Sequence, residues 1–269
     1  MAPFVRYALK FAYDGTRFHG YARQPNVYTV EGAIINALES LGLISNPKIN
    51  RFRSASRTDK GVSALGNVIA FDCYYDLTID ILEDINEELR DIWFYGFRRV
   101  DQKFYPRFAK LRHYRYYLWI NDDFDFDAFL EGASLFTGEK DFRNFCKADG
   151  RNTVREIKNI IIDKFENLLS INFFAQTFVW QQVRRIVSAL EKIGYHEVGI
   201  DTVKKAIEKP EERRTFGIAK AENLLLVDVR YDFDFEFKSS IIERIPDLER
   251  RIIERSRPDS LDSKTSSSL

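Results

Sequence analysis

Metal and thiol chemistry have little to draw on in this sequence. Its 269 residues hold two cysteines, Cys73 and Cys146, and three histidines, His19, His113 and His196. No Cys-x-x-Cys, His-Glu-x-x-His or His-x-His spacing occurs, so a tetrahedral site would have to be assembled from scattered ligands. No metal and no cofactor are expected, and the two cysteines read as small buried hydrophobes. Glycine-rich phosphate loops of the Walker or dinucleotide type are missing as well. No apolar run approaches the ~20 residues that span a bilayer, and no apolar block follows the N-terminal Met-Ala-Pro-Phe-Val-Arg. The expectation is a soluble, cytoplasmic protein with no membrane partner.

Net charge is also absent, at +0, which by itself announces no nucleic-acid partner. The distribution says more. Arg98 to Arg115 carries seven bases against one acid, Asp101, while Asp72 to Asp91 carries eight acids against Arg90. Such segregation can build a basic face on a neutral protein, or scatter its charges over several faces, because spacing does not set facing. What is plentiful is apolar side chain, 45% of the chain, enough for a sizeable core.

Val5, Tyr7, Leu9, Phe11 and Tyr13 alternate with Arg6, Ala8, Lys10 and Ala12, the period of a half-buried strand that stops at Asp14-Gly15. Thr29 caps a helix running to Leu41, and Gly42 stops it. The pattern predicts further strands near Ile49–Arg53, Asn67–Phe71 and Ile92–Val100, and a helix through Ile81 to Leu89. It then restarts with a strand over Arg112–Ile120 and a helix over Ala128–Phe136. A hairpin follows, from Ile157–Phe165 to Leu168–Ala175. Phe178–Ile193 gives the strongest helix, Asp201 caps a shorter one, and Leu224–Tyr231 is a last strand. The Phe124–Phe129 and Phe142–Phe145 aromatics read as packing. Several strand pairs lack an intervening helix. The class is therefore α+β, with two related subdomains whose mainly antiparallel mixed sheets are flanked by helices. The division runs 1–105, 106–240, then 241–269 for an amphipathic helix (Ile241, Ile245, Leu248, Ile252) and a Ser-rich tail expected to lack order.

The polar loop from Ser54 to Gly61 is the sharpest chemical feature. Read from the residues alone, its Asp59 is first a turn residue that caps or pairs with Arg57. It is also a carboxylate that nearby cations would keep ionised for use as a nucleophile or base. The run from Arg57 to Asn67, Arg-Thr-Asp-Lys-Gly-Val-Ser-Ala-Leu-Gly-Asn, resembles the signature Arg-Thr-Asp-x-Gly-Val-x-Ala-x-Gly-Gln of TruA-type tRNA pseudouridine synthases. Five more blocks agree in order. They are Tyr13-Asp-Gly-Thr16 with Phe18 to Pro25, then Tyr114-Arg-Tyr116, then Phe136-Thr-Gly138 with Asp141 to Phe145. Phe178 to Val187 and Ala219 to Leu226 complete the set, so the resemblance spans about residues 5–232. Departures are Asn67 for Gln, Ser56 for Gly, Trp180-Gln181-Gln182 for a more apolar or His-bearing stretch, and Asn223 for a glycine.

The resemblance implies an isomerase that converts uridine to pseudouridine in the anticodon stem-loop of tRNA. It also implies a homodimer that holds tRNA, with the active-site cleft between the two subdomains. Asp59 matches the catalytic aspartate. Tyr114 matches the tyrosine that stacks on the target uracil, and Arg184 the basic partner of the aspartate. Arg57 matches an arginine that helps to flip the nucleotide. Leu224 or Leu226 would wall the pocket, and Thr58, Lys60, Arg107 and Arg115 would contact RNA. Read from the residues alone, Tyr114 is an ordinary strand aromatic and Arg184 a helix arginine. A non-catalytic RNA-binding protein of the same fold is the alternative reading, and an Asp-dependent nucleoside hydrolase is a third.

Overall fold

Aromatic and β-branched side chains at alternate positions of Val5–Tyr13 favour an extended chain. The computed structural model, which describes residues 4–258, places a strand there. In order, the elements are β1 (Val5–Tyr13), α1 (Val30–Ser40), β2 (Arg53–Ser54), β3 (Ser63–Cys73), α2 (Ile81–Glu87), β4 (Ile92–Val100) and β5 (Leu111–Trp119). Then come α3 (Phe126–Ser134), β6 (Gly138–Asp141), β7 (Val154–Phe165), β8 (Leu168–Ala175), α4 (Gln182–Gly194) and α5 (Ile200–Glu208). Last are β9 (Leu224–Arg230), β10 (Glu236–Phe237), α6 (Ser239–Ile242) and α7 (Leu248–Ser256).

The chain divides into two units. The first holds residues 4–112 with Leu225–Leu248. Its strands run β10-β4-β1-β3-β9, with β2 beside β3. All of these pairings are antiparallel except β3 with β9, where Ser63 faces Leu225 and Ala64 faces Leu226. The second holds His113–Leu224 with residues 249–258, and its strands run β5-β8-β7-β6. Phe124, Phe129, Phe142 and Phe145 are buried there, the packing role read from the sequence. The fold is α+β, with mostly antiparallel sheets flanked by helices, in agreement with the sequence reading. Among the described residues no helix is long and apolar enough to cross a membrane.

Five local expectations are corrected. β1 is buried on both faces, not one, because Arg6 and Lys10 enter the protein to pair with Asp72 and Asp228. The strand expected at Ile49–Arg53 shrinks to β2. There the Asn50 Oδ1 accepts the Ser45 N–H (3.0 Å) and its amide donates to the Asp72 carbonyl (2.8 Å), bending the chain into turns. Gly199, not Asp201, occupies the N-cap of α5, and Asp201 falls in its first turn. The single C-terminal helix is two, α6 and α7, separated by a segment that contains Pro246, whose ring disfavours helical geometry in the residue before it. α4 starts at Gln182, four residues later than the apolar stripe suggests, since Gln181 is left-handed at φ 64°. From residue 259 the Ser-rich tail lies outside the described residues.

Candidate active site

The loop that carries Asp59 leaves β2 and returns into β3, which β9 flanks. On its first side, the Ala55 N–H donates to the Val68 carbonyl (2.8 Å). The other side is built by the segment after β1. The Tyr13 and Thr58 hydroxyls are hydrogen-bonded at 2.8 Å, and the Tyr21 N–H donates to the Thr58 carbonyl (3.2 Å). Within the loop the Val62 N–H closes a turn onto the Asp59 carbonyl (3.2 Å). Gly20 passes with φ +102°, a left-handed conformation that suits glycine, and a Cβ there would lie 3.4 Å from the Lys60 nitrogen. The backbone bearing the carboxylate is thus pinned from both sides, which fixes direction at low conformational cost.

Gly15 makes the closest approach. A Cβ at this position would sit 1.9 Å from the Val62 carbonyl oxygen, with backbone and no flexible side chain in the way. Gly15→Ala must therefore push β1 and the loop apart. The expected result is a loss of about 1–3 kcal/mol of stability, read by thermal denaturation, together with reduced turnover by the folded fraction.

The side chains sort by exposure. Asp59 and Thr58 are half-buried, while Arg57 and Lys60 are exposed. Arg57 pairs with Glu31 at 3.5 Å, and Glu31 also accepts the Arg23 N–H (2.9 Å). Sequence reasoning assigned no role to Tyr21 or Glu31, and read Gly15 only as the stop of the first strand and a member of the Tyr13–Thr16 block. The Tyr13–Thr16 block was visible as a motif, but only the fold shows that it supports the Asp59 loop.

In the second unit, Tyr114 is half-buried on β5 and meets Phe178 edge-on, with ring centroids 5.2 Å apart at 88°. Tyr116, two residues on, is sealed in the core. Arg184 is half-buried on α4. Its Nε donates to the Ala219 carbonyl (2.8 Å) while the Ala219 N–H donates to the Arg184 carbonyl (3.1 Å), so one side-chain bond and one backbone bond hold Arg184 against Ala219. One turn on, the Ser188 hydroxyl donates to the Phe216 carbonyl (2.9 Å), tying α4 to the same segment. Leu224 is 6% exposed and Leu226 0%.

The basic run does not share one destination. Arg112 turns inward and is buried, and Lys110 pairs with Asp232. Arg115, read as an RNA contact, pairs with Glu249 of α7 and donates to Asn172 (2.7 Å). Arg98 lies over the Phe233 ring, whereas Arg107 is exposed. Cys73 and Cys146 are buried, and burial pushes both thiols up, away from the thiolate that a nucleophile needs. Among the described residues, no three His, Cys, Asp or Glu side chains converge on a metal-sized point.

A family model described as tRNA pseudouridine synthase matches residues 133–232, most of the second unit, which places that part of the chain in the pseudouridine synthase class. The tRNA pseudouridine synthase A of Pyrococcus horikoshii is 43% identical over 255 residues, covering 93% of this chain and 95% of that one. That of Thermococcus kodakarensis is 40% identical over 229 residues (84% and 85%), and that of Methanothermobacter thermautotrophicus 38% over 225 (83% and 80%). The chain belongs to the tRNA pseudouridine synthase A family. The motif resemblance read from the sequence is confirmed over nearly its whole length.

Proposed function

We propose that the protein isomerises uridine to pseudouridine in tRNA, with Asp59 as the catalytic carboxylate. One observation carries the reading. A chain similar along 93% of its length to a tRNA pseudouridine synthase A keeps, on a loop pinned from two sides, the aspartate of the family signature. The reaction breaks the C1′–N1 bond, turns the uracil and joins C5 to C1′. C5 loses its proton and N1 gains one, so neither oxidant nor water is consumed. A carboxylate serves this either by adding to uracil C6 or by assisting departure at C1′.

A paired base must first leave its stack, at a cost of a few kcal/mol that stacking and backbone contacts offset. Tyr114 offers the aromatic face and serves at C5, and Arg184 supplies positive charge. Both roles rest on the motifs that these residues match. Arg57, exposed beside Asp59, fits a part in extruding the nucleotide, and Leu224 an apolar wall. Thr58, Lys60, Arg107 and Arg115 are the proposed RNA contacts, although Arg115 would have to share its guanidinium with Glu249. The target uridines lie in the anticodon stem-loop, and the working form is a cytoplasmic homodimer.

The decisive experiment uses tRNA carrying uridine tritiated at C5. Purified protein should release tritium to water, with pseudouridine appearing in the digested RNA. Tritium retained in the RNA would leave only a binding protein. Free uracil by chromatography would mean hydrolysis in place of isomerisation.

A further inference from the structure

Just before Arg57, the chain is gripped by side chains that the proposed chemistry does not touch. Arg112 is only 5% exposed. Its Nε donates to Ser56 Oγ (3.0 Å), and one terminal nitrogen donates to the carbonyls of Ala55 (2.8 Å) and Arg107 (3.0 Å). Asn67 is fully buried. Its Oδ1 accepts the Ser56 N–H (3.3 Å) and the Val68 N–H (2.9 Å), while its Nδ2 donates to the Ser56 carbonyl (3.0 Å). The amide of Asn67 therefore engages both backbone groups of Ser56, as a neighbouring strand would. Arg112 takes the hydroxyl.

Two of the departures from the family pattern meet here, Ser56 for Gly and Asn67 for Gln. The Oγ that the first introduces is the acceptor for the Arg112 Nε. Burying a guanidinium is expensive unless its donors are used, and two of the acceptors, the Ser56 hydroxyl and the Ala55 carbonyl, lie on the chain just before Arg57.

We propose that Arg112 and Asn67 are positioning residues for the isomerisation: they lock residues 55–56, and that lock sets the direction in which Arg57, Thr58 and Asp59 leave. The proposal rests on the reading of Asp59 as the catalytic carboxylate. Its physical basis is the steep dependence of rate on placement, where a shift of ~1 Å costs about 10²-fold.

The test compares Arg112→Lys, Asn67→Ala and the double variant with Asp59→Asn. Single-turnover tritium release is measured per folded protein, and tRNA affinity by filter binding. Each single variant should slow the chemical step by about 10- to 10²-fold. The tRNA Kd should move less than about 3-fold, since phosphate contacts dominate affinity. The double variant should be no slower than the worse single one, because both side chains act through Ser56. Should Arg112→Lys not fold, Asn67→Ala alone decides, as it leaves the buried cation in place. Wild-type rates in the single variants beside an inactive Asp59→Asn overturn the proposal, as do losses confined to Kd. An active Asp59→Asn instead sinks the reading of Asp59, and the proposal with it.

Discussion

Asp59→Asn is expected to lower pseudouridine formation by more than ~10⁴-fold while the protein still binds tRNA. Asn matches Asp in shape, so the loop bonds between Ala55 and Val68, and between Tyr13 and Thr58, have no reason to change. What is lost is the negative oxygen that, in the proposed reaction, adds to C6 or assists at C1′. Affinity comes chiefly from phosphate contacts, to which an acid contributes nothing. Filter binding at fixed salt should therefore give a near wild-type Kd, with tritium release at background. Asp59→Glu makes the complementary point. It keeps the charge but moves the carboxyl group by one methylene on a backbone that cannot follow, because the loop is held on both sides. A loss of about 10²-fold is expected from misplacement alone. A variant without any carboxylate that still turned over would move the catalytic group elsewhere.

The largest expected effect on stability lies at Asp72, in the same unit but outside the proposed chemistry. Its carboxylate is 2% exposed and bonds the Arg6 guanidinium at 2.6 Å with one oxygen and the Arg51 Nε with the other. Arg6 is equally buried and also donates to the Phe104 carbonyl (2.7 Å). Burial pulls its pKa down, and Asp72 acts in the opposite direction. Asp72→Ala leaves that cation inside without a counter-charge, at a cost of ~3–5 kcal/mol. Whole domains are stable by only about 5–15 kcal/mol, so urea denaturation should show a midpoint shifted far down with a similar slope. The double variant Arg6→Met/Asp72→Leu removes both buried charges and should recover most of the loss. Asp76→Ala is the control. Its partner Arg99 is 67% exposed, and its midpoint should stay near wild type. An equal effect of Asp72→Ala and Asp76→Ala would show that the buried pair contributes no more than a surface one.

Much of this protein is written locally. The helix after Thr29 was legible because a capping hydroxyl and an apolar face lie within eleven residues of one another, and the Thr29 oxygen does accept the Gly32 N–H. The β7–β8 hairpin was legible because alternation and its turn sit side by side, with Glu166 at φ 52° between the strands. The Asp59 loop could be found because its motif is contiguous. The break at Pro246 was present in the sequence too, but the apolar period of Ile241, Ile245, Leu248 and Ile252 masked it.

Other features depend on partners far along the chain. Lys10 enters the protein only because Asp228, more than two hundred residues later, waits for it, so no window around β1 could reveal a strand buried on both faces. Arg112 belonged to a run of bases that read as one cluster, yet it turns inward to Ser56 while Arg115 turns to Glu249. By itself the sequence determined the class, most of the elements and the candidate carboxylate, because these follow from short-range pattern and contiguous motif. The tertiary structure alone decided which charges are buried and what holds the loop, because a side chain's direction is set by the neighbour that neutralises or hydrogen-bonds it.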